Sequence, residues 1–225
     1  MKNWQGKCGP LLIAEIGGNH EGDFSYAQKL TGLAIKSGAD VVKFQIYTGD
    51  TLVNKVESPD RNSHFKKFEL LPEQHIALAK QCREADVQYM ASVWDVEALE
   101  WIDEYIDIYK IGSGDLTAYP VLDQIIALNK PIIISTGLAD ASEVADAVEY
   151  FKQSNDFYKD ANNLAVLQCT SMYPIEPSDA NLNVMNFFKE NFDVSVGYSD
   201  HTEGAVALEV AVAMGAQVLE FHFTD

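Results

Sequence analysis

Two hydrophobic periods alternate along the chain. Apolar runs rich in β-branched residues at 11–17, 41–47, 88–94, 108–113, 131–137, 164–170, 194–199 and 217–223 have the length and composition of buried strands. Between them, stretches at 24–37, 72–85, 96–105, 120–128, 142–153, 183–191 and 204–214 carry the helical period. Local signals fix several ends. Pro72 suits a first helical position, Asp140 followed by Glu143 forms a capping box, and Gly38 and Gly215 fall where a helix should stop. Strands alternating with helices imply parallel pairing through right-handed crossovers. A count of eight strands favours an α/β fold of the closed (β/α)₈ TIM-barrel type over a doubly wound open sheet. The expected domain is a single catalytic barrel over 1–225. It ends directly after the eighth strand, so either the barrel is truncated or something else covers that strand.

Alternation along the strands sorts side chains between barrel interior and surrounding helices. In the eighth strand, Glu220 and His222 share one face, and Leu219, Phe221 and Phe223 share the other. The stretch 211–222 repeats the pattern of 34–45: a helix end, a Gly-Ala turn, then a strand carrying two polar residues on one face. Those pairs are Glu220 with His222 and Lys43 with Gln45. Polar residues at strand carboxyl ends point into the barrel mouth, where barrel enzymes keep their active sites. The same logic gathers Glu15, Lys110, Ser113, Asp115, Ser135, Ser171, Ser199 and His201. The longest connection, 48–71, with its polar run at 57–64, reads as a lid or binding loop or as a solvated excursion.

Composition narrows the partners. The chain has 225 residues, of which 47% are hydrophobic and 22% charged, which suits a globular protein with a sizeable core. Its formal net charge of -18 and pI near 4.5 argue against nucleic acid or an anionic membrane as partner. An anionic substrate would need locally placed cations. Cys8, Cys82 and Cys169 are odd in number and far apart, as expected for reduced thiols in the cytoplasm. No run approaches the ~18 apolar residues of a membrane span.

Within the gathered set, His201 and His222 have the residue type and relative position of a divalent-metal pair, with Asp200 and Glu220 as further ligands or orienting partners. The alternative is two histidines satisfied structurally at the barrel mouth. Lys43 and Lys110, set among apolar neighbours, each need an anion, either a carboxylate such as Glu15 or a bound ligand. Ser113, Ser135 and Ser171, each beside glycine or threonine, could add the donors that a phosphate requires. Glu15 is the candidate acid or base.

The stretches at 13–23 (IAEIGGNHEGD), 38–45 (GADVVKFQ), 109–117 (YKIGSGDLT), 130–139 (KPIIISTGLA), 167–174 (LQCTSMYP), 196–204 (VGYSDHTEG) and 219–225 (LEFHFTD) resemble the sialic acid synthases. These make N-acetylneuraminate and related nonulosonic acids. The resemblance implies a TIM barrel that condenses phosphoenolpyruvate with an N-acylated hexosamine such as N-acetylmannosamine, in its aldehyde form, and releases phosphate by C–O cleavage. By position it implies metal ligands at His201 and His222 for a divalent ion, manganese first, magnesium or cobalt otherwise. It places phosphoenolpyruvate contacts at Lys43, Ser92, Lys110, Ser113, Ser135, Ser171 and Ser199. Sugar contacts fall on Gln45, Asp115, Tyr173 and Glu220, and the catalytic glutamate on Glu15.

The chain departs from the family pattern in places. Ser92 and Ser171 stand where the family commonly has Thr and Asn, and Phe221 replaces a lysine. The family's last barrel helix and its antifreeze-like domain, which lends an arginine to the partner subunit, have no counterpart in these residues. A homodimer is expected by resemblance. Two other readings compete: a Schiff-base aldolase using Lys43 or Lys110, and a truncated barrel that binds a ligand without turnover.

Overall fold

The computed structural model describes residues 3–225. Among them, eight strands follow one another in the order of a closed parallel barrel. They are β1 (Leu11–Glu15), β2 (Val41–Ile46), β3 (Gln88–Val93), β4 (Tyr109–Ile111), β5 (Ile132–Ser135), β6 (Leu164–Cys169), β7 (Ser195–Asp200) and β8 (Val218–His222). Closure settles the fold as a (β/α)₈ barrel and removes the open-sheet alternative. The helices are α1 (Phe24–Ser37), α2 (Gly49–Leu52), α3 (Pro59–Phe68), α4 (Pro72–Glu84), α5 (Leu99–Ile102), α6 (Tyr119–Ile126), α7 (Ala141–Ser154), α8 (Val184–Asn191) and α9 (Val206–Ala213).

Both ends of α1 and the start of α7 follow from single residues. Asp23 accepts the Tyr26 N–H, and Gly38 closes α1 in the left-handed conformation with its N–H on the Ile35 carbonyl. In α7, the Asp140 carboxylate accepts the N–H groups of Ser142 and Glu143, while Glu143 accepts the Asp140 N–H. Each helix then buries one stripe at helical spacing: Ala27, Leu30, Thr31 and Ala34 in α1, and Val144, Ala147, Val148 and Phe151 in α7. Full burial of an aromatic such as Phe151 contributes on the order of 2 kcal/mol.

Two connections differ from the expectation. The segment 96–105 is not one helix: α5 is flanked by 3₁₀ turns at Val96–Ala98 and Asp103–Tyr105. The chain has to turn early because Ile106 already pairs with Tyr89 of β3. The polar stretch after β2 forms α2 and α3 instead of open loop. Asn62 of α3 is buried and donates to the carbonyls of Gly49 and Val53, and Gly49 N–H donates to Glu69.

The chain divides into two compact units. One takes in Ile108–Phe221 with the chain up to Ile13, and the other takes in Ala14–Asp107 with His222–Asp225. Within the first unit the register aligns side chains across neighbouring strands. Lys110 pairs with Ile133, and Ile133 with Ala165. Ser135 pairs with Leu167, Cys169 with Ser199, and Ser199 with Glu220. Paired positions and those two residues along point to the same face, so Lys110, Ser135, Cys169, Ser199 and Glu220 share the inner face. In the second unit, Lys43 pairs with Met90 and Gln45 with Ser92. The opposite face of β2 carries Phe44, which packs against Tyr89, His20 and His75.

Candidate active site

In the second unit, Glu15 ends β1 with its side chain almost completely buried. Its Oε2 lies 2.5 Å from Lys43 Nζ, and its Oε1 accepts a hydrogen bond from Gln45 Nε2 at 3.1 Å. The carboxylate is thereby fixed at both oxygens. Gly17 closes over it: with φ of +52°, a Cβ there would stand 2.7 Å from Glu15 Oε1. Only glycine combines that backbone conformation with room for the carboxylate. Ser92 sits beside Gln45 by register. His222, at the end of β8, is exposed, and the Phe223 N–H that follows it donates to the Glu15 carbonyl.

In the first unit, Lys110 Nζ lies 3.2 Å from Glu220 Oε1, and Ser199 Oγ donates to the same oxygen at 2.9 Å. Glu220 is thus a carboxylate partner of Lys110 within this unit. Beyond β5, Gly137 N–H donates to Ser113 Oγ at 3.0 Å. A Cβ on Gly137 would fall 2.2 Å from Ser171 Oγ and 2.9 Å from Ser113 Oγ, so two hydroxyls from separate strand ends meet at this backbone. Among the described residues, Ser135 Oγ is buried and has no hydrogen-bond partner. A buried hydroxyl in that state is costly unless a ligand completes it. Asp115 lies on the 3₁₀ turn Ser113–Asp115, its carboxylate close to Gly112.

Cys169 joins this inner face, a placement that its residue type did not announce. It is buried in the same row as Ser199 and Glu220. Burial pushes its thiol up, against the pull of the Lys110 charge and of hydrogen bonds with Ser113 and Ser199. Its residue type suggested nothing beyond a reduced thiol. Strand parity, which places it two residues beyond the inward Leu167, is the signal that finds it.

His201 is buried at the end of β7. Its Nδ1 faces the Thr170 carbonyl at 2.6 Å, and the Tyr173 ring lies over it with centroids 4.0 Å apart. A carbonyl partner makes Nδ1 the protonated nitrogen and leaves the lone pair on Nε2, as a metal-ligating imidazole requires. This donor chemistry fits a borderline divalent ion. Asp200 does not orient His201. Its Oδ1 takes the Tyr198 hydroxyl and the Thr202 N–H, and its Oδ2 the Thr202 hydroxyl, because alternation along β7 turns it to the face of Tyr198. Among the described residues, no group of three or more His, Cys, Asp or Glu is arranged to hold an ion. Any ion here would complete its shell with water or substrate oxygens.

His75 and His20 are buried on the outer side of β2. His75, deeply buried, faces the Tyr89 hydroxyl at 2.8 Å, and burial, with a smaller push from His20, holds its pKa down to about 3. Burial also lowers His20. No helix among the described residues is long and apolar enough to cross a membrane.

A closed barrel of eight parallel strands alternating with helices defines the class: a (β/α)₈ barrel. The chain belongs to the NeuB family, whose model matches residues 30–225. It is 37% identical over 231 residues to the N,N'-diacetyllegionaminic acid synthase of Legionella pneumophila, covering 95% of this chain and 64% of that protein. It is 33% identical over 235 residues to the N-acetylneuraminate-9-phosphate synthase of Homo sapiens, covering 98% and 64%. Among solved structures, the N-acetylneuraminic acid synthetase of Leptospira borgpetersenii, in complex with citrate, superposes with a TM-score of 0.87 at 30% identity, covering 95% of this chain and 73% of that one. The chain thus spans just under two thirds of the length of these two curated relatives.

Proposed function

We propose that the chain is the barrel portion of a nonulosonic acid synthase, which condenses phosphoenolpyruvate with an N-acylated hexosamine and releases phosphate. The carrying observation is the hydroxyl cradle at Gly137 with the buried, unpartnered Ser135 Oγ beside it on the inner face. Two relatives named as synthases of such acids support the reaction class.

In this reading Lys110, Ser113, Ser135, Ser171 and Ser199 hold the phosphoenolpyruvate anion, with Lys43 and Ser92 assigned to it by resemblance. Holding the anion positions its C3 for attack on the sugar aldehyde. Positive charge then develops at C2, water adds there, and the tetrahedral intermediate loses phosphate by C–O cleavage. Glu15, fixed by Lys43 and Gln45, handles the proton of the attacking water. Gln45, Asp115, Tyr173 and Glu220 are the proposed sugar contacts, Glu220 doing so from its place beside Lys110. His201, with His222 by resemblance, would hold a divalent ion such as manganese. The chemistry that ion supplies is Lewis-acid polarisation of the aldehyde.

A homodimer and a cytoplasmic location belong to the same reading. The described cysteines form no disulfide, in keeping with a reducing compartment. A Schiff-base aldolase is disfavoured, because each buried lysine is engaged by a carboxylate whereas a Schiff-base lysine acts as the free amine.

The test is a phosphate-release assay with phosphoenolpyruvate, Mn²⁺ and a panel of N-acyl hexosamines. Release should require both organic substrates and stop on chelation. Release without any sugar, or undiminished after the chelator, would overturn the proposal.

A further inference from the structure

We infer that the Cys169 thiol is a neutral hydrogen-bond donor to the bound substrate anion, a member of the anion site alongside Lys110, Ser113 and Ser199. The inference rests on the phosphoenolpyruvate reading above and adds a residue to it.

Four observations within one unit carry it. The register sets Cys169 beside Ser199 and Ser199 beside Glu220, so the thiol lies in the row that holds Lys110. The hydroxyls of Ser113 and Ser199 reach the neighbourhood of the thiol from the turn after β4 and from β7, and Ser199 Oγ gives its own proton to Glu220. Ser135 Oγ, on the same inner face one strand away, is buried without a partner among the described residues, which points to a ligand in this space. Finally, burial and the nearby Glu220 oppose ionisation of the thiol. A thiolate would add negative charge where an anion has to bind. A neutral S–H adds a weak donor and no charge.

Serine should therefore substitute well at this position, alanine should cost one donor, and aspartate should repel the ligand. With phosphoenolpyruvate as the probe in calorimetric titration, Cys169→Ser should bind within about threefold of the parent. Cys169→Ala should bind about three- to tenfold more weakly and Cys169→Asp at least about a hundredfold.

Lys110→Met serves as the benchmark for the anion site itself. A second readout needs no variant to fold: in Raman difference spectra of the unaltered protein, the S–H stretching band should shift to lower frequency on saturation with phosphoenolpyruvate. That shifting component should be missing from Cys169→Ser. An unshifted band overturns the inference, as does Cys169→Ala binding like the parent while Lys110→Met binds weakly. If the parent itself binds no phosphoenolpyruvate, the inference and the functional reading fall together.

Discussion

The Glu15–Lys43 pair shows how much one buried charge depends on its partner. Both side chains are at most 5% exposed, and the ions lie 2.5 Å apart. Lys43→Met leaves the carboxylate buried beside Gln45 alone and should lower stability by about 3–5 kcal/mol. Adding Glu15→Leu should restore most of it, since two apolar groups need no compensation. Urea unfolding of the parent, both single variants and the double variant checks this, and strictly additive losses would contradict it. This pairing was legible in the sequence, because a lysine among apolar strand residues demands an anion. The same alternation should have turned Asp200 away from His201, since Ser199 before it faces inward. Adjacency in sequence suggested an orienting carboxylate where the structure uses the Thr170 carbonyl. That partner lies 31 residues away, and only the neighbourhood of β6 and β7 brings it close. The meeting of Ser113 and Ser171 at Gly137 was hidden for a similar reason: it depends on how loops leave three strands.

Elements were legible to the degree that their burial is periodic. α1 and α7 each bury a regular stripe and start on a side-chain cap, and α1 also ends on Gly38, so their bounds follow closely from sequence. α3 fully buries only Asn62, with Phe65 and Phe68 half-buried, so hydrophobic period gave it little signal; it is anchored by hydrogen bonds to α2 and its neighbours and by Phe65 against Tyr47. α4 shows a different limit, because its stripe includes His75, a residue type that reads as functional. The imidazole is neutral in the fold, with a pKa held down from 6.5 to about 3 chiefly by burial. Between those values the unfolded chain takes up a proton that the folded chain refuses. Stability should therefore fall as pH drops through 6.5, by up to about 1.4 kcal/mol per pH unit from this group. His75→Gln keeps a hydrogen-bonding group for Tyr89 and removes the titration. Its unfolding free energy should be less dependent on pH between 6.5 and 4 than the parent's, and an unchanged slope would refute the assignment.

For the whole molecule, barrel closure was legible because eight strands alternate with helices, and the count itself selects a closed sheet. The overall charge has a kinetic consequence that the buried pairs do not cancel. Lys43 and Lys110 are each matched by a glutamate, so neither projects a net positive field far into solvent. In the proposed reaction, an approaching phosphoenolpyruvate trianion would therefore meet the far field of a chain carrying -18. That repulsion reaches across a Debye length of about 30 Å at 0.01 M salt and only about 8 Å at 0.15 M. Raising salt over this range should increase kcat/KM for phosphoenolpyruvate roughly two- to fivefold, while the KM for an uncharged sugar stays level. An enzyme that steers its anion with exposed cations does the reverse. Steady-state kinetics at matched pH and metal concentration distinguish the two, and a kcat/KM that falls with added salt would show that exposed cations outside the buried pairs guide the substrate in.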